Sequence, residues 1–362
     1  MVTARYPPFL GGIETHVSEV ARRMAEGGLD LTVLTTDVSG RLAPSERQGD
    51  LDVRRFPAFP HGADFYASPA LARAVAQGGY DLVHIQGLHT FVPPMALGAA
   101  WRAGIPTVVT FHTGGHSSRV RTVARDSHWW TLRPLLRRSR ALVAVCAYEV
   151  ELFAHRLSVE PERIRLIRNG SDPLPVGDVV PEVTGSPLIC SVGRLERYKG
   201  HHRLIAAMPA LLAREPGAHL AVIGRGGYEQ HLRRLVTRLG VDRAVTFVSF
   251  DSDQRAALGA LVASSDVVAL LSDYEANPVA LMEALALGRK VVVAATSGLT
   301  ELASEGLATA VPARTSPAAL AAVLAKVAAD PDVSAPDLPT WDHCVEELLR
   351  LYDDVTRSAV SP

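Results

Sequence analysis

The sequence predicts an α/β protein made of two doubly wound parallel-sheet domains. Three observations carry that prediction. The chain has 362 residues, enough for two domains of ordinary size with separate cores. Short apolar strand segments alternate with stretches of helical periodicity along most of its length, the pattern of a parallel sheet covered on both faces. One Pro-rich segment without periodicity, DPLPVGDVVPEVTGSP from Asp172 to Pro187, interrupts the rhythm and marks a boundary. The expected division is a first domain 1–172, a linker 173–187, a second domain 188–340 and a C-terminal helix 341–362.

Taken in order, Val2 to Arg5 reads as a short strand. It is followed by the turn-rich YPPFLGG and by a helix with Ile13, Val17, Val20, Ala21 and Met24 at helical spacing. Further strands are expected near Leu31 to Thr35, Leu82 to Gln86, Thr107 to Phe111, Ala141 to Val145 and Arg165 to Ile167. Beyond the boundary they recur near Leu188 to Val192, Leu220 to Ile223, Val245 to Phe250, Val267 to Leu271 and Val291 to Ala294. Sheets of this kind bind ligands at the C-terminal ends of their strands, so two of them are expected to enclose a central cleft. In the tail, Trp341, Val345, Leu348, Leu349 and Tyr352 again recur at helical spacing.

A net charge of -1 with 48% hydrophobic residues describes a soluble globular chain and argues against a nucleic-acid partner. Cys146, Cys190 and Cys344 lie in apolar surroundings and are odd in number, which points to buried free thiols in a reducing compartment. No signal peptide or apolar run long enough to span a bilayer is visible, so the expected location is the cytoplasm. Seven arginines lie between Arg119 and Arg140, with Trp129 and Trp130 among them. Two readings are open for that segment: peripheral contact with the inner face of a membrane, or a solvated amphipathic helix with one buried Trp edge.

The stretch SDYEANPVALMEALALGRKVVV, Ser272 to Val293, carries the strongest chemical signal. Asn277 suits an N-cap, Pro278 the first helical position and Gly288 the residue past the end, predicting a helix from Pro278 to about Leu287. Its side chains are apolar all round except Glu283, so the helix is expected to be buried. Glu275 lies just before the cap, and the opening amides at Val279 and Ala280 favour an anion nearby. The alternative is structural: Glu275 solvated in a loop and Glu283 paired with a buried Arg.

A second constellation opens the second domain. In SVGRLERYKGHHRLI, a strand runs through Gly193 into a loop with Arg194 and Lys199 and then into a helix. Two cations beside a helix N-terminus form a diphosphate clamp, or else a solvated basic turn. The next strand ends in VIGRGGY, where Gly224, Arg225, Gly226 and Gly227 offer close backbone approach to a ligand. Asp251-Ser252-Asp253 has the look of a metal-binding triplet, but Gln254 three residues after Asp251 reads as a capping box. His112 and His116 have a spacing that metal sites also use, without a third ligand in their loop.

Together, GRLERYKG, VIGRGG and YEANPVALMEALALG resemble the C-terminal half of the retaining glycosyltransferases of family 4, and GGIETHV, VVTFHTGG and IRNGSD resemble their N-terminal landmarks. The resemblance covers nearly the whole chain. It implies the GT-B fold, with two Rossmann-like domains: the first binds the acceptor, the second the donor, and the last helix crosses back to the first. It implies a hexosyltransferase-type reaction from a nucleoside-diphosphate sugar, by default a UDP-sugar, to a hydroxyl of a small molecule or lipid-linked acceptor, with no metal or cofactor required. By the same resemblance Arg194 and Lys199 hold the diphosphate, Glu283 the ribose, and Glu275 and His112 meet the transferred sugar. The implied donor site also takes in Gly11, Gly12, Gly193, Gly224, Arg225, Gly226, Pro278 and Val279, and His112 is expected near the acceptor as well. Asn277 stands where the family more often has Phe or Gly and is expected to add a polar contact to the sugar subsite. Glu14 and His16 face either the acceptor or solvent. Lys290 stands where the family usually has Pro and is expected at the surface. Two other classes share these features: a sugar-nucleotide epimerase of the same fold, and a non-catalytic sugar-nucleotide-binding protein.

Overall fold

The computed structural model describes the chain except Leu10 and residues 61–65, 113–118, 179–181, 332–333 and 361–362, and gives the backbone alone for 119–128 and 358–360. Two compact units result. One comprises Met1–Gly114, Ser118–Gly170 and Pro339–Pro362; the other is essentially Ser171–Leu338.

The first unit holds strands Val2–Thr3 (β1), Thr32–Asp37 (β2), Ser45–Gln48 (β3), Leu51–Pro57 (β4), Val83–Gln86 (β5), Thr107–Thr110 (β6), Ala141–Ala144 (β7) and Ile164–Leu166 (β8). Helices Gly12–Glu26 (α1), Pro69–Gln77 (α2), Val92–Arg102 (α3), Arg119–Arg138 (α4) and Ala147–Leu157 (α5) join them. The sheet order is β3-β4-β2-β1-β5-β6-β7-β8. The chain therefore builds outward from β1 in one direction and then from β5 in the other, and the strand order reverses between these two neighbours. The edge pair β3–β4 was not expected. It is an antiparallel hairpin whose second strand alternates, with Leu51, Val53 and Arg55 inward and charged residues outward, so it lacks the continuous apolar run of a central strand.

The second unit holds Leu188–Val192 (β9), His219–Ile223 (β10), Val245–Val248 (β11), Val267–Leu270 (β12), Lys290–Ala294 (β13) and Thr309–Val311 (β14), all parallel in the order β11-β10-β9-β12-β13-β14. Its helices are His201–Leu212 (α6), Glu229–Leu239 (α7), Arg255–Ala263 (α8), Val279–Ala286 (α9), Ser297–Ser304 (α10) and Pro317–Ala329 (α11). Successive strand residues feed opposite cores: Leu220, Val222, Val267, Ala269 and Val292 pack in one layer. Ala221, Ile223, Val268, Leu270, Val291 and Val293 pack in the other. Burial on both faces is why these strands read as unbroken apolar runs. Here the reversal of strand order falls between β9 and β12.

Two details depart from expectation, and the last helix completes the first unit. The Pro-rich stretch behaves as part of the second unit: Leu174 and Val183 are buried in its core, and Gly177 N donates to Ala256 O at 3.0 Å. Lys290 is buried, not at the surface, because its Nζ reaches carbonyls at the C-terminal end of α11, Ala328 O at 2.9 Å and Asp330 O at 2.8 Å. The last helix, Trp341–Val360 (α12), packs on α1 of the first unit, where Arg23 Nε donates to Asp342 Oδ1 at 2.8 Å.

The described part of α4 is an amphipathic helix with a buried tryptophan. Trp129 is buried against Phe111 and Phe153. Arg133 and Arg137 both donate to Leu157 O, at 2.9 and 2.7 Å, satisfying the C-terminus of α5 where Ser158 turns left-handed. Arg138 lies over the Trp101 ring at 4.6 Å, and Trp130 is exposed. Among the described residues no helix is long and apolar enough to cross a membrane.

Candidate active site

In the second unit the loops after β9 and β12 leave neighbouring strands at the point of reversal, and they carry the residues singled out in sequence. Gly200 has φ +80°, and a Cβ there would lie 2.0 Å from Leu271 O, so only glycine lets the first loop lie on the second. That contact places Lys199 beside Glu275. Lys199 Nζ donates to Glu275 Oε1 at 2.5 Å, with only 14% and 11% of the two side chains exposed. Ser272 Oγ donates to the same oxygen at 2.7 Å.

The Glu275 backbone is held as firmly as its side chain. Ser297, which opens α10 with φ +43°, accepts from Glu275 N at 2.8 Å and donates to Glu275 O at 2.7 Å. Gly298 N also donates to that carbonyl, at 2.9 Å. On the other loop, His201 is fully buried and donates through Nε2 to Arg194 O at 3.2 Å while its Nδ1 accepts from Ser191 Oγ at 2.8 Å. Burial lowers its pKa to about 4, so it is a neutral strut for the Arg194 loop. Arg194 Nη2 donates to Tyr198 Oη at 3.0 Å.

Helix α9 begins one residue later than expected. Pro278 has ψ 108°, outside the helical range, so Pro278 and not Asn277 is the capping residue. Leu281 N and Met282 N make the first bonds, both to Pro278 O, and the Val279 and Ala280 amides stand ahead of that ladder. Glu283 is buried in the helix and takes Arg255 Nη2 on Oε1 at 2.6 Å, which is the paired arrangement foreseen as the structural alternative. Its partner is 39% exposed and not buried.

Not every expected residue joins this cluster. A Cβ on Gly224 would meet Gly193 O at 2.1 Å, and one on Gly226 would meet Leu195 O at 2.4 Å. Both glycines are therefore required by packing between the loops after β9 and β10, and the room they leave is filled by the chain itself. Arg225 pairs with Asp251 at 2.7 Å at the exposed surface. Asp251 and Gln254 form the expected capping box. Among the described residues no group of three or more His, Cys, Asp or Glu side chains is arranged to hold a metal ion, and His116 lies outside them.

In the first unit the corresponding edge carries α1 and the residue after β6. Gly11 precedes α1 without a side-chain cap, Gly12 is exposed, and the Glu14 carboxylate occupies the space a Gly11 Cβ would need, 2.3 Å from its Oε2. His16 does not face solvent. It is 2% exposed, with its ring edge-on to His112 at 4.4 Å and to Trp341 at 5.7 Å, and burial lowers its pKa to about 4. His112 sits at φ +44° with Nε2 2.7 Å from Gln86 Oε1. Sequence reasoning missed Gln86, His201, Ser272 and Ser297. Gln86 ends β5 and Ser272 follows β12, while His201 and Ser297 open α6 and α10; their place in strand-to-helix connections is the one signal that was available.

Two doubly wound units, the second with a Lys199–Glu275 pair at its strand-order reversal, give the chain the architecture of the GT-B class. The family models agree: residues 10–173 match Glycosyltransferase Family 4, and residues 178–337 match Glycosyl transferases group 1. The chain is 31% identical to a glycogen synthase of Mycobacterium tuberculosis, over 91% of this chain and 86% of that one. It is 28% identical to a D-inositol 3-phosphate glycosyltransferase of Nocardiopsis dassonvillei, over 97% and 91%. Among solved structures, a sucrose-phosphate synthase of Thermosynechococcus elongatus superposes with TM-score 0.79 at 20% identity, covering 99% and 98% of the two chains. An Anabaena protein solved in complex with UDP and glucose gives 0.73 at 19%, covering 98% of each. The chain belongs to glycosyltransferase family 4.

Proposed function

We propose that the enzyme transfers a sugar from a nucleoside-diphosphate sugar to an acceptor hydroxyl, with retention at the anomeric carbon and without a metal. The observation that carries this reading is the Lys199–Glu275 pair at the strand-order reversal of the second unit. In the free protein Glu275 holds the Lys199 ammonium. An arriving diphosphate competes for that cation and for the Arg194 guanidinium, and the Val279 and Ala280 amides add partial positive charge. As the bond to the sugar breaks, negative charge grows on the departing phosphate, and these groups stabilise it where it develops. The phosphate oxygen takes the acceptor's proton on the same face, so no protein nucleophile is needed. Glu275 receives hydroxyl hydrogens of the sugar, and Glu283, steadied by Arg255, those of the ribose.

The first domain takes the acceptor and the second the donor. UDP is the nucleotide of first choice, since the similar Anabaena protein was solved with UDP and glucose. Relatives named for glycogen and for D-inositol 3-phosphate favour a sugar or polyol acceptor. The three buried free thiols favour the cytoplasm.

A thermal-shift panel of nucleoside diphosphates, with magnesium and with chelator, tests the donor site. At a hundredfold excess over Kd the right base stabilises by about 2.7 kcal/mol, raising the midpoint of the unit that binds it by roughly 5–10 °C in both conditions. No shift with any nucleotide overturns the donor site, and a shift that needs magnesium overturns metal independence. The anomeric proton coupling of the product then tests retention.

A further inference from the structure

We infer that Gln86 is a positioning residue for His112: it holds the imidazole with its hydrogen on Nε2 and leaves Nδ1 as a hydrogen-bond acceptor for a substrate hydroxyl. The inference rests on the proposed place of His112 in the active site.

Strain fixes the backbone first. His112 follows β6 at φ +44°, a left-handed conformation unfavourable for a non-glycine residue and kept only where the surroundings impose it. The side chain is 6% exposed, and the edge of His16 covers one side of its ring at 4.4 Å. Its one hydrogen bond among the described residues runs from Nε2 to Gln86 Oε1, at 2.7 Å. A carbonyl oxygen only accepts, so Nε2 carries the hydrogen and the neutral ring keeps its lone pair on Nδ1.

The amide is itself oriented. Its NH2 faces the His84 ring, with Gln86 Nε2 3.3 Å from His84 Nε2 and 3.4 Å from His84 Nδ1. His84 is anchored in turn to Thr110 Oγ1 at 2.7 Å and to Tyr352 Oη at 2.5 Å. Turning the amide over would place its NH2 against the His112 nitrogen and its oxygen over the His84 ring. The titratable groups that His112 senses are His16 on α1, His89 after β5 and His84 on β5, and burial together with these rings keeps it neutral, well below the usual imidazole pKa. A neutral ring with one fixed acceptor nitrogen reads a hydroxyl donor and does not supply a proton.

The test is long-range proton–nitrogen NMR of the full chain labelled with 15N-histidine, with His112 assigned by its loss in His112→Phe. The expected result is a protonated-type Nε2 and an acceptor-type Nδ1 between pH 6 and 8. Gln86→Leu is expected to mix the tautomers and lower kcat by about tenfold. Gln86→Glu, close in shape, places a carboxylate against the ring, makes it doubly protonated nearer neutral pH, and moves the acid limb of kcat/KM upward. An acceptor-type Nε2 in the wild type, or an unchanged tautomer in Gln86→Leu, overturns the inference. A fully active His112→Phe overturns the site reading and with it any role of Gln86 in turnover, while the tautomer result decides separately whether Gln86 orients the ring.

Discussion

Removing Lys199 exposes how the site holds its own charge. Lys199→Ala leaves the Glu275 carboxylate, 11% exposed in the wild type, with Ser272 Oγ as its remaining side-chain donor. Breaking a fully buried pair costs about 3–5 kcal/mol. Partial access of water and the surviving serine bond bring the expected cost here to about 2 kcal/mol, or a fall of roughly 4–8 °C in the midpoint of the second unit. Glu275→Gln keeps the shape and the serine bond, and the long Lys199 side chain can turn toward water, so about 1 kcal/mol is expected. The double variant lacks both charges and should be more stable than the sum of the two losses implies, with a coupling energy of about 1–2 kcal/mol. Scanning calorimetry of the four proteins measures it. Coupling below about 0.3 kcal/mol would show that the pair is not formed in solution, and the account of a cation held ready for diphosphate would fall.

Two further perturbations address other parts of the scaffold. Burial lowers the pKa of His16 and His201 to about 4, against about 6.5 when unfolded, so the unfolded chain binds more protons between these values. Stability is then complete above pH 6.5 and declines as pH falls toward 4, by at most about 3 kcal/mol for each ring; urea midpoints across that range should slope less in His16→Gln and His201→Gln, and equal slopes would refute the burial argument. Gly200→Ala forces a side chain into φ +80° and against Leu271 O, so it should lower the melting midpoint and displace Lys199. Unaltered melting and donor affinity in that variant would mean the two loops do not depend on this contact.

The central strands were legible because they are buried on both faces and leave continuous apolar runs, as in ALVA of β7 and VVAL of β12. The hairpin β3–β4 was not, since half of its residues point to water and its pairing is local and antiparallel. Glu275 and Lys199 were found from their places beside helix N-termini. Their contact was not, because it joins loops 76 residues apart. Gln86 and Ser272 act as single polar residues at or just past strand ends, and His201 and Ser297 at helix starts, where no periodicity marks them. Lys290 looked like a surface residue because lysine usually is one, and only the fold brings the carbonyls at the end of α11 to its ammonium.

The first unit is discontinuous in the chain, and this has a consequence for synthesis. On the ribosome, residues 1–170 emerge with all eight strands of their sheet but without α12, whose Trp341 will cover the His16 ring and whose Tyr352 will anchor His84. The second unit is nearly contiguous and can complete its core while the first still waits. The half that appears first is thus finished last, and the His84–Gln86–His112 array acquires its final tether only after the whole second unit has been translated.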